Sequence, residues 1–164
     1  MIVRSAILVV AIALLGASCG PAPAVKNNVQ QVEQTKPVTN AFPLATEVRL
    51  FVETDVDANG KSVFSKPKGL KLSPQQRQAF EASLVVEPIP DMEIGCFIPH
   101  HFFRYFDANG RSIGEIEVCF CCSGVFATGA ANIPIGKNQR LSADYDKLEA
   151  FVRSLGEPTQ GQCS

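Results

Sequence analysis

Cysteine and histidine, the residue types that bind metals or form crosslinks, are concentrated in one part of this chain. Cys96–His101 reads C-F-I-P-H-H, and Cys119–Cys122 reads C-F-C-C. These two segments hold both histidines of the chain and four of its six cysteines. Thiolates and imidazoles are common ligands of tetrahedral zinc, and thiols also form disulfides or exchange them with other thiols. The cluster therefore supports three kinds of site: a disulfide, a metal site or a redox-active thiol pair.

A β-hairpin is predicted to bring the two cysteine segments together. An aromatic strand over 102–106 leads into the turn D-A-N-G, and 112–120 forms the return strand. The Asn-Gly pair favours a tight turn because both residues tolerate positive φ. A three-residue loop with a glycine bulge then places Asp107 opposite Arg111.

The register of this hairpin decides which sulfurs meet. Counted from the turn, Cys96 lies opposite Cys122, at the Cα separation of ~4.5–5.5 Å that a disulfide spans. Pro99 cannot donate to the ladder, and a slip of one residue would place Cys96 opposite Cys121 instead. A disulfide is the default use of these cysteines in an oxidising compartment, and Cys163 in the polar tail is a further candidate for it.

Metal binding and redox chemistry are the alternatives. Cys96, His100, Cys119 and Cys122 form a ligand set for zinc, and soft thiolates also favour copper. On ideal strands Cys119 points away from the other three, so the site requires the chain to turn at the C-x-x-C segment. Redox use is the weakest interpretation, because the segment after Cys122 does not resemble the helix whose dipole lowers a thiol pKa.

This part of the chain resembles small exported bacterial proteins of uncharacterised function that carry a C-x-x-x-H … C-F-x-C pattern. The resemblance covers about 96–125 and brings no activity with it. It implies that Cys121 is the variable cysteine and that the four candidate metal ligands are the set to test. The matching residues are Cys96, Pro99, His100, Asp107, Gly110, Val118, Cys119, Phe120 and Cys122.

The N-terminus has the pattern of an export signal. Arg4 precedes an apolar run over 6–15, and small residues then lead to Cys19. The run is shorter than the ~20 residues that a transmembrane helix needs. It resembles a bacterial lipoprotein signal, which implies that 1–18 is a cleaved signal peptide and Cys19 the lipidation site. An ordinary cleaved signal is the alternative, because Gly16 stands where the lipoprotein pattern prefers Leu.

The segment after the lipidation site predicts a tether. Residues 19–45 are mostly polar and include four prolines, which is typical of a flexible linker. Residues 46–164 then form a single domain. By the lipoprotein resemblance, Gly20 after the cysteine favours the outer membrane in a host that has one. We expect the domain to face the periplasm or the exterior, with the membrane and an envelope protein as its partners.

Composition and motifs exclude several functions. The net charge is −1, from 15 basic and 16 acidic residues, and no basic patch stands out, so nucleic acid is not an expected partner. No Ser-His-Asp arrangement, phosphate loop or nucleotide fingerprint is evident. No catalytic residue is therefore assigned, and a binding protein is favoured over an enzyme.

The hydrophobic pattern predicts an α+β domain. Val48–Glu53 alternates as a strand and leads into a first D-A-N-G hairpin. Ser73-Pro74 opens a helix with Leu84 on its inner face, and this helix stops before Glu87. After the second hairpin, 123–136 is expected to be an irregular loop.

A final helix over 143–155, capped by Ser142, completes the predicted order β-β-α-β-β-α. The fold is then a small antiparallel sheet of two hairpins with two helices packed on it. The resulting prediction is a membrane-anchored cell-envelope lipoprotein whose Cys/His cluster is a structural disulfide site in a binding or interaction domain. Zinc or copper binding and thiol–disulfide redox function are the alternatives.

Overall fold

Alternation of apolar and polar residues builds β2 (Glu47–Val56), the longest strand among the described residues. The computed structural model describes residues 35–90 and 96–159. Three residues of β2 face the main core as predicted, and each is only 1% exposed to solvent: Val48, Leu50 and Val52. Phe51 on the opposite face is buried as well, under the guanidinium of Arg104 at 4.7 Å.

Two antiparallel sheets and two helices make up the described part of the chain, and this confirms the α+β class. The described elements, besides β2, are β1 (Lys36–Pro37), β3 (Ser62–Phe64), β4 (Leu70–Lys71), α1 (Pro74–Glu81), β5 (Leu84–Pro88), β6 (His101–Phe106), β7 (Ser112–Cys119), β8 (Gly124–Gly129), β9 (Gln139–Ala143) and α2 (Tyr145–Ser154). The six-stranded sheet has the order β3-β2-β6-β7-β8, with β4 also paired to β2, and the three-stranded sheet has the order β1-β5-β9. Both predicted hairpins are present, as β2–β3 and β6–β7, but the chain has more strands than two hairpins supply.

The first helix is shorter than its sequence pattern predicts. Its start is confirmed, because Ser73 and Gln76 form a reciprocal capping box and Pro74 is the first helical residue. The helix ends at Glu81, and Leu84 is the first residue of β5. The Ser83 hydroxyl donates to the Phe80 carbonyl at 2.6 Å, which satisfies a helix-end acceptor.

Two elements replace the predicted irregular loop and the predicted start of the last helix. Residues 124–129 form β8, which pairs along β7. Ser142 belongs to β9, and the N-cap of α2 is Asp144, whose carboxylate accepts from the Lys147 N–H. The loop prediction was wrong because glycines at both ends of the strand masked its pattern.

The segment before Thr46 contributes to the core. Val38 and Phe42 are buried, and the Phe42 ring lies 4.2 Å from the Tyr105 ring. The Arg77 guanidinium donates to the carbonyl of Phe42 at 3.0 Å. Packing therefore begins inside the range that the sequence assigns to the linker.

Neither helix in the described ranges is long and apolar enough to cross a membrane. The predicted signal peptide 1–18 and the lipidation site Cys19 lie outside the described residues, as does Cys163.

Candidate thiol site

The turn of the second hairpin has the predicted geometry. The Asp107 N–H donates to the Arg111 carbonyl at 2.9 Å, and Gly110 has a φ of 73°. Backbone N–H groups of Arg111 and Asn109 also donate to the Asp107 carboxylate. The Arg111 N–H is the main cause of a lowered pKa for Asp107, and the D-A-N-G turn at Asp57 is built in the same way.

Beyond this turn the predicted register was wrong by one residue. The register shifts between Tyr105 and Phe106, so that Phe103 pairs with Ile116 rather than with Glu115. Because of this bulge, the side chains of β6 that face the core are the ones that the predicted register placed on the opposite face. His101 now pairs with Val118 and is buried, whereas the ideal register paired His100 there.

The two histidines consequently have different surroundings. His101 is 3% exposed, its Nε2 lies 2.7 Å from the Pro158 carbonyl oxygen, and its ring meets Phe120 edge-on. Burial lowers the pKa of His101. His100 Nδ1 lies 3.5 Å from a carboxylate oxygen of Glu53. The structure thus places His100 beside a carboxylate.

Cys119 and Cys122 form the closest pair of sulfurs recorded in the described part of the chain. Their Sγ atoms are 2.7 Å apart, and both residues are buried. Cys119 ends β7, the chain turns over 120–123, and Ser123 adopts a φ of 49°. On a continuous strand the side chains of Cys119 and Cys122 would point to opposite faces of the sheet. The turn brings them together on one side.

The other cysteines divide into one exposed thiol and one crosslinked residue. Cys96 is an exposed free thiol that lies with Cys122 in the wall of one pocket and contributes to the raised pKa of Cys122. Cys121 is disulfide-bonded, while the remaining three cysteines of the described ranges are free. Cys121 is therefore unavailable to the thiol cluster, which we define as Cys96, Cys119 and Cys122.

The two buried thiols differ in acidity. Burial opposes ionisation of Cys119, but hydrogen bonds from the Cys122 thiol and from the backbone of Ile98, Cys122 and Cys121 outweigh it and lower the pKa of Cys119. Burial raises the pKa of Cys122 to about 12, with further contributions from the thiols of Cys119 and Cys96. The site therefore favours a negative charge on Cys119 and a proton on Cys122.

These thiols adjoin an apolar pocket of about 720 Å³. Cys96 and Cys122 lie in its wall. The absence of a side chain at Gly124 admits the Phe97 ring, which a Cβ would meet at 2.6 Å. The apolar side chains that line the pocket are Phe97, Val125, Phe126, Ala127, Ile135 and Leu141.

Three of the pocket residues are large apolar side chains exposed to solvent, namely Phe97, Phe126 and Ile135. Clustered exposed apolar side chains mark binding surfaces on soluble domains. Sequence reasoning missed this pocket because β8, which forms part of its wall, was assigned to an irregular loop and β9 was not predicted as a strand. The V-F-A-T run inside 124–129 is the signal that could have revealed β8.

The structure does not assemble the full predicted metal set. Within residues 35–90 and 96–159, no group of three or more His, Cys, Asp or Glu side chains is arranged to hold a metal ion. His100 lies next to Glu53, and the remaining ligands Cys96, Cys119 and Cys122 are the thiol cluster.

No family model, no curated protein and no solved structure matches this chain. Function is therefore argued from the geometry of the thiol cluster and its pocket.

Proposed function

We propose that this chain is an exported, lipid-anchored envelope protein, and that its domain binds a partner at a surface stabilised by a Cys119–Cys122 disulfide. The carrying observation is the 2.7 Å separation of these two Sγ atoms. Two sulfurs this close need to approach by less than ~1 Å to reach the covalent distance of ~2.05 Å. An exported protein meets the oxidising conditions under which such a pair closes.

The proposed disulfide has a defined structural role. It fixes the turn between β7 and β8. This turn leads directly into Gly124, the residue against which the Phe97 ring packs. Closing so small a loop contributes roughly 2 kcal/mol in the chain-entropy model. The disulfide thus supports the pocket wall more than it supports the fold as a whole.

The crosslink of Cys121 extends the same proposal. The chain has six cysteines, three of the described ones are free, and Cys19 is proposed to carry lipid. We therefore assign Cys163 as the disulfide partner of Cys121. Replacing Cys163 with Ser opens a loop of about forty residues, for which the chain-entropy model gives a loss of ~4 kcal/mol of unfolding free energy; denaturant titration measures it.

Counting thiols in the exported protein tests the proposed function. We expect alkylation of the unfolded, unreduced protein to label one thiol of the cluster per chain, on Cys96 or on Cys119, and to leave Cys122 unlabelled. In the Cys96→Ser background, Cys119→Ser should release Cys122 for labelling, and Cys122→Ser should release Cys119. Labelling of both residues in the wild-type protein, with no metal bound, would contradict the disulfide.

Metal binding is the second candidate, and one observation favours it. Backbone N–H groups of Ile98, Cys121 and Cys122 support negative charge on the Cys119 sulfur, as donors around metal thiolates do. Cys119 and Cys122 together offer two thiolates of the kind that zinc and copper(I) bind, and any further ligand would have to move into place on binding. Reduced cysteines together with about one equivalent of metal in the same preparation would establish this candidate and replace the disulfide.

The lipid anchor has its own test. Metabolic labelling with a radioactive fatty acid should mark the wild-type chain and not the Cys19→Ala variant. An unlabelled wild-type chain, or label that persists in Cys19→Ala, would reject the anchor.

A further inference from the structure

We propose that the thiol cluster is a relay, in which one disulfide moves from the buried Cys119–Cys122 pair to the exposed Cys96 and from there to a cysteine on an apolar polypeptide. The proposal rests on the proposed function, because the relay starts from the Cys119–Cys122 disulfide. Cys122 is the central sulfur: its Sγ lies 2.7 Å from Cys119 Sγ, and it shares the pocket wall with Cys96, whose thiol contributes to the raised pKa of Cys122. Sulfurs that are neighbours in series are the arrangement that thiol–disulfide exchange needs.

The inner step is an exchange within the chain. The thiolate of Cys96, its proton lost to solvent, attacks Sγ of Cys122. The Cys96–Cys122 bond forms, the Cys119–Cys122 bond breaks, and Cys119 leaves as a thiolate with the electron pair. Backbone donors, including the N–H of Ile98, stabilise this leaving thiolate. The number of disulfides is unchanged, so the step consumes no oxidant.

The outer step transfers the disulfide to a partner. A thiolate on the partner attacks Sγ of Cys96, forming a mixed disulfide and releasing Cys122, which takes up a proton in keeping with its pKa of about 12. A second partner thiolate attacks the partner sulfur of the mixed disulfide and releases Cys96. The partner loses two electrons and gains a disulfide, and the protein gains two electrons. A low-molecular-weight disulfide, such as oxidised glutathione, then re-oxidises Cys119 and Cys122.

The pocket next to Cys96 indicates the chemistry of the partner. Its wall carries the exposed rings of Phe97 and Phe126 and the side chain of Ile135. The charge of Arg140 in the same wall is paired with Glu87, whose Oε1 lies 2.7 Å from Nη2. The surface around the reacting sulfur therefore suits a cysteine flanked by apolar side chains better than one flanked by acidic ones.

Mapping the free thiol tests the inner step. The full exported chain is oxidised with oxidised glutathione, quenched in acid, alkylated and analysed by mass spectrometry of its peptides. We expect the free thiol on Cys96 in part of the molecules and on Cys119 in the rest, and Cys96→Ser should leave Cys119 fully crosslinked. A free thiol found only on Cys96 would overturn the relay while the proposed disulfide stands. Cys119 and Cys122 both remaining reduced would instead overturn the proposed function.

Two synthetic peptides test the outer step. Each contains one cysteine, flanked either by Leu and Phe or by Asp and Ser, and mixed-disulfide formation with the oxidised chain is followed by mass spectrometry. We expect the apolar peptide to react about tenfold faster, because burying one apolar side chain is worth at least that factor. Phe126→Ser should reduce this preference, whereas Val56→Ser, at a similarly exposed site outside the pocket, should keep it. Equal rates for the two peptides, or adducts that persist in Cys96→Ser, would overturn the proposal.

Discussion

At the scale of single residues, the buried imidazole of His101 is the most unusual group outside the thiol cluster. Its Nδ1 is buried, and none of the described residues supplies a hydrogen-bond partner for it. Its Nε2 contacts the Pro158 carbonyl, so the neutral tautomer with a proton on Nε2 fits the site. A neutral histidine is therefore built into the core of the six-stranded sheet.

This histidine predicts a pH dependence of stability. Burial is the main cause of its lowered pKa, the neighbouring His100 adds to it, and the Pro158 carbonyl and Glu157 oppose it. The unfolded chain takes up a proton near pH 6.5 and the folded protein only at lower pH. Stability is thus fully present above pH ~6.5 and is lost as the pH falls below it.

Thermal unfolding between pH 7.5 and 5 measures this effect. We expect the midpoint of the wild-type chain to fall with pH, and His101→Gln to show a smaller fall from a lower starting value. His100→Gln removes only the smaller contribution of the neighbouring imidazole to the pKa of His101, so it should reduce the slope less than His101→Gln does. If His101→Gln and the wild type have parallel pH profiles, this histidine does not cause the dependence.

At the scale of elements, two glycines in the β7–β8 hairpin predict different consequences of one added methyl group. A Cβ at Gly114 would lie 2.3 Å from the Phe42 ring and 2.5 Å from the Thr128 carbonyl oxygen. A Cβ at Gly124 would meet only the Phe97 ring, at 2.6 Å, and that ring is exposed. The first site is enclosed by backbone and core, and the second by a side chain that can turn away.

We expect Gly114→Ala to lower the unfolding free energy by about 1–3 kcal/mol, the usual cost of overpacking. Gly124→Ala should cost under ~1 kcal/mol while displacing Phe97 from the pocket wall. Denaturant titration of both variants measures the difference. Equal losses would show that the surroundings of Gly114 relax as readily as those of Gly124.

The elements that the sequence predicts well are those with local chemical signals. Ser73 and Gln76 mark a helix start. In each D-A-N-G turn, the carboxylate of the first residue, Asp57 or Asp107, accepts a hydrogen bond from a backbone N–H group of the same turn. The elements that it misses depend on distant partners. β5 is a strand because β1 and β9 pair with it, although its first residue continues the helical pattern of α1.

The same reasoning explains the outcome at the thiol site. The turn sets where the hairpin folds back, and that much is local. The bulge opposite Tyr105 and Phe106 changes the register, and the only local sign of it is Gly114, a glycine inside the strand pattern that pairs with Tyr105. The closeness of Cys119 and Cys122 depends on a turn at Ser123, where a positive φ is unusual for that residue type.

At the scale of the whole molecule, the buried residues before Thr46 predict where a stable fragment must begin. Phe42 is 1% exposed, Val38 is 4% exposed, and the Asn40 N–H donates to the Glu81 carboxylate at 2.8 Å. Removing this segment exposes the Tyr105 ring that Phe42 covers. The loss corresponds to at least one large buried side chain, or about 3–5 kcal/mol.

We expect a fragment starting at Thr35 to fold and one starting at Thr46 to be unfolded or much less stable. Circular dichroism and thermal unfolding of the two fragments, both with the cysteines oxidised, test this expectation. The variant Phe42→Ala in the longer fragment should reproduce most of the loss. Equal melting temperatures for the two fragments would place the start of the domain at Thr46 after all.

The pocket wall joins strands that never pair with one another. Val125 and Ala127 belong to β8 of the larger sheet, whereas Gln139 and Leu141 belong to β9 of the smaller one. A molecule bound in this pocket would contact both sheets at once, and it would lose part of its contacts if the two sheets separated on unfolding. Occupancy should therefore reveal itself as a rise in melting temperature that grows with concentration. A small library of apolar compounds and peptides could be ranked by this rise in melting temperature before the natural ligand is identified.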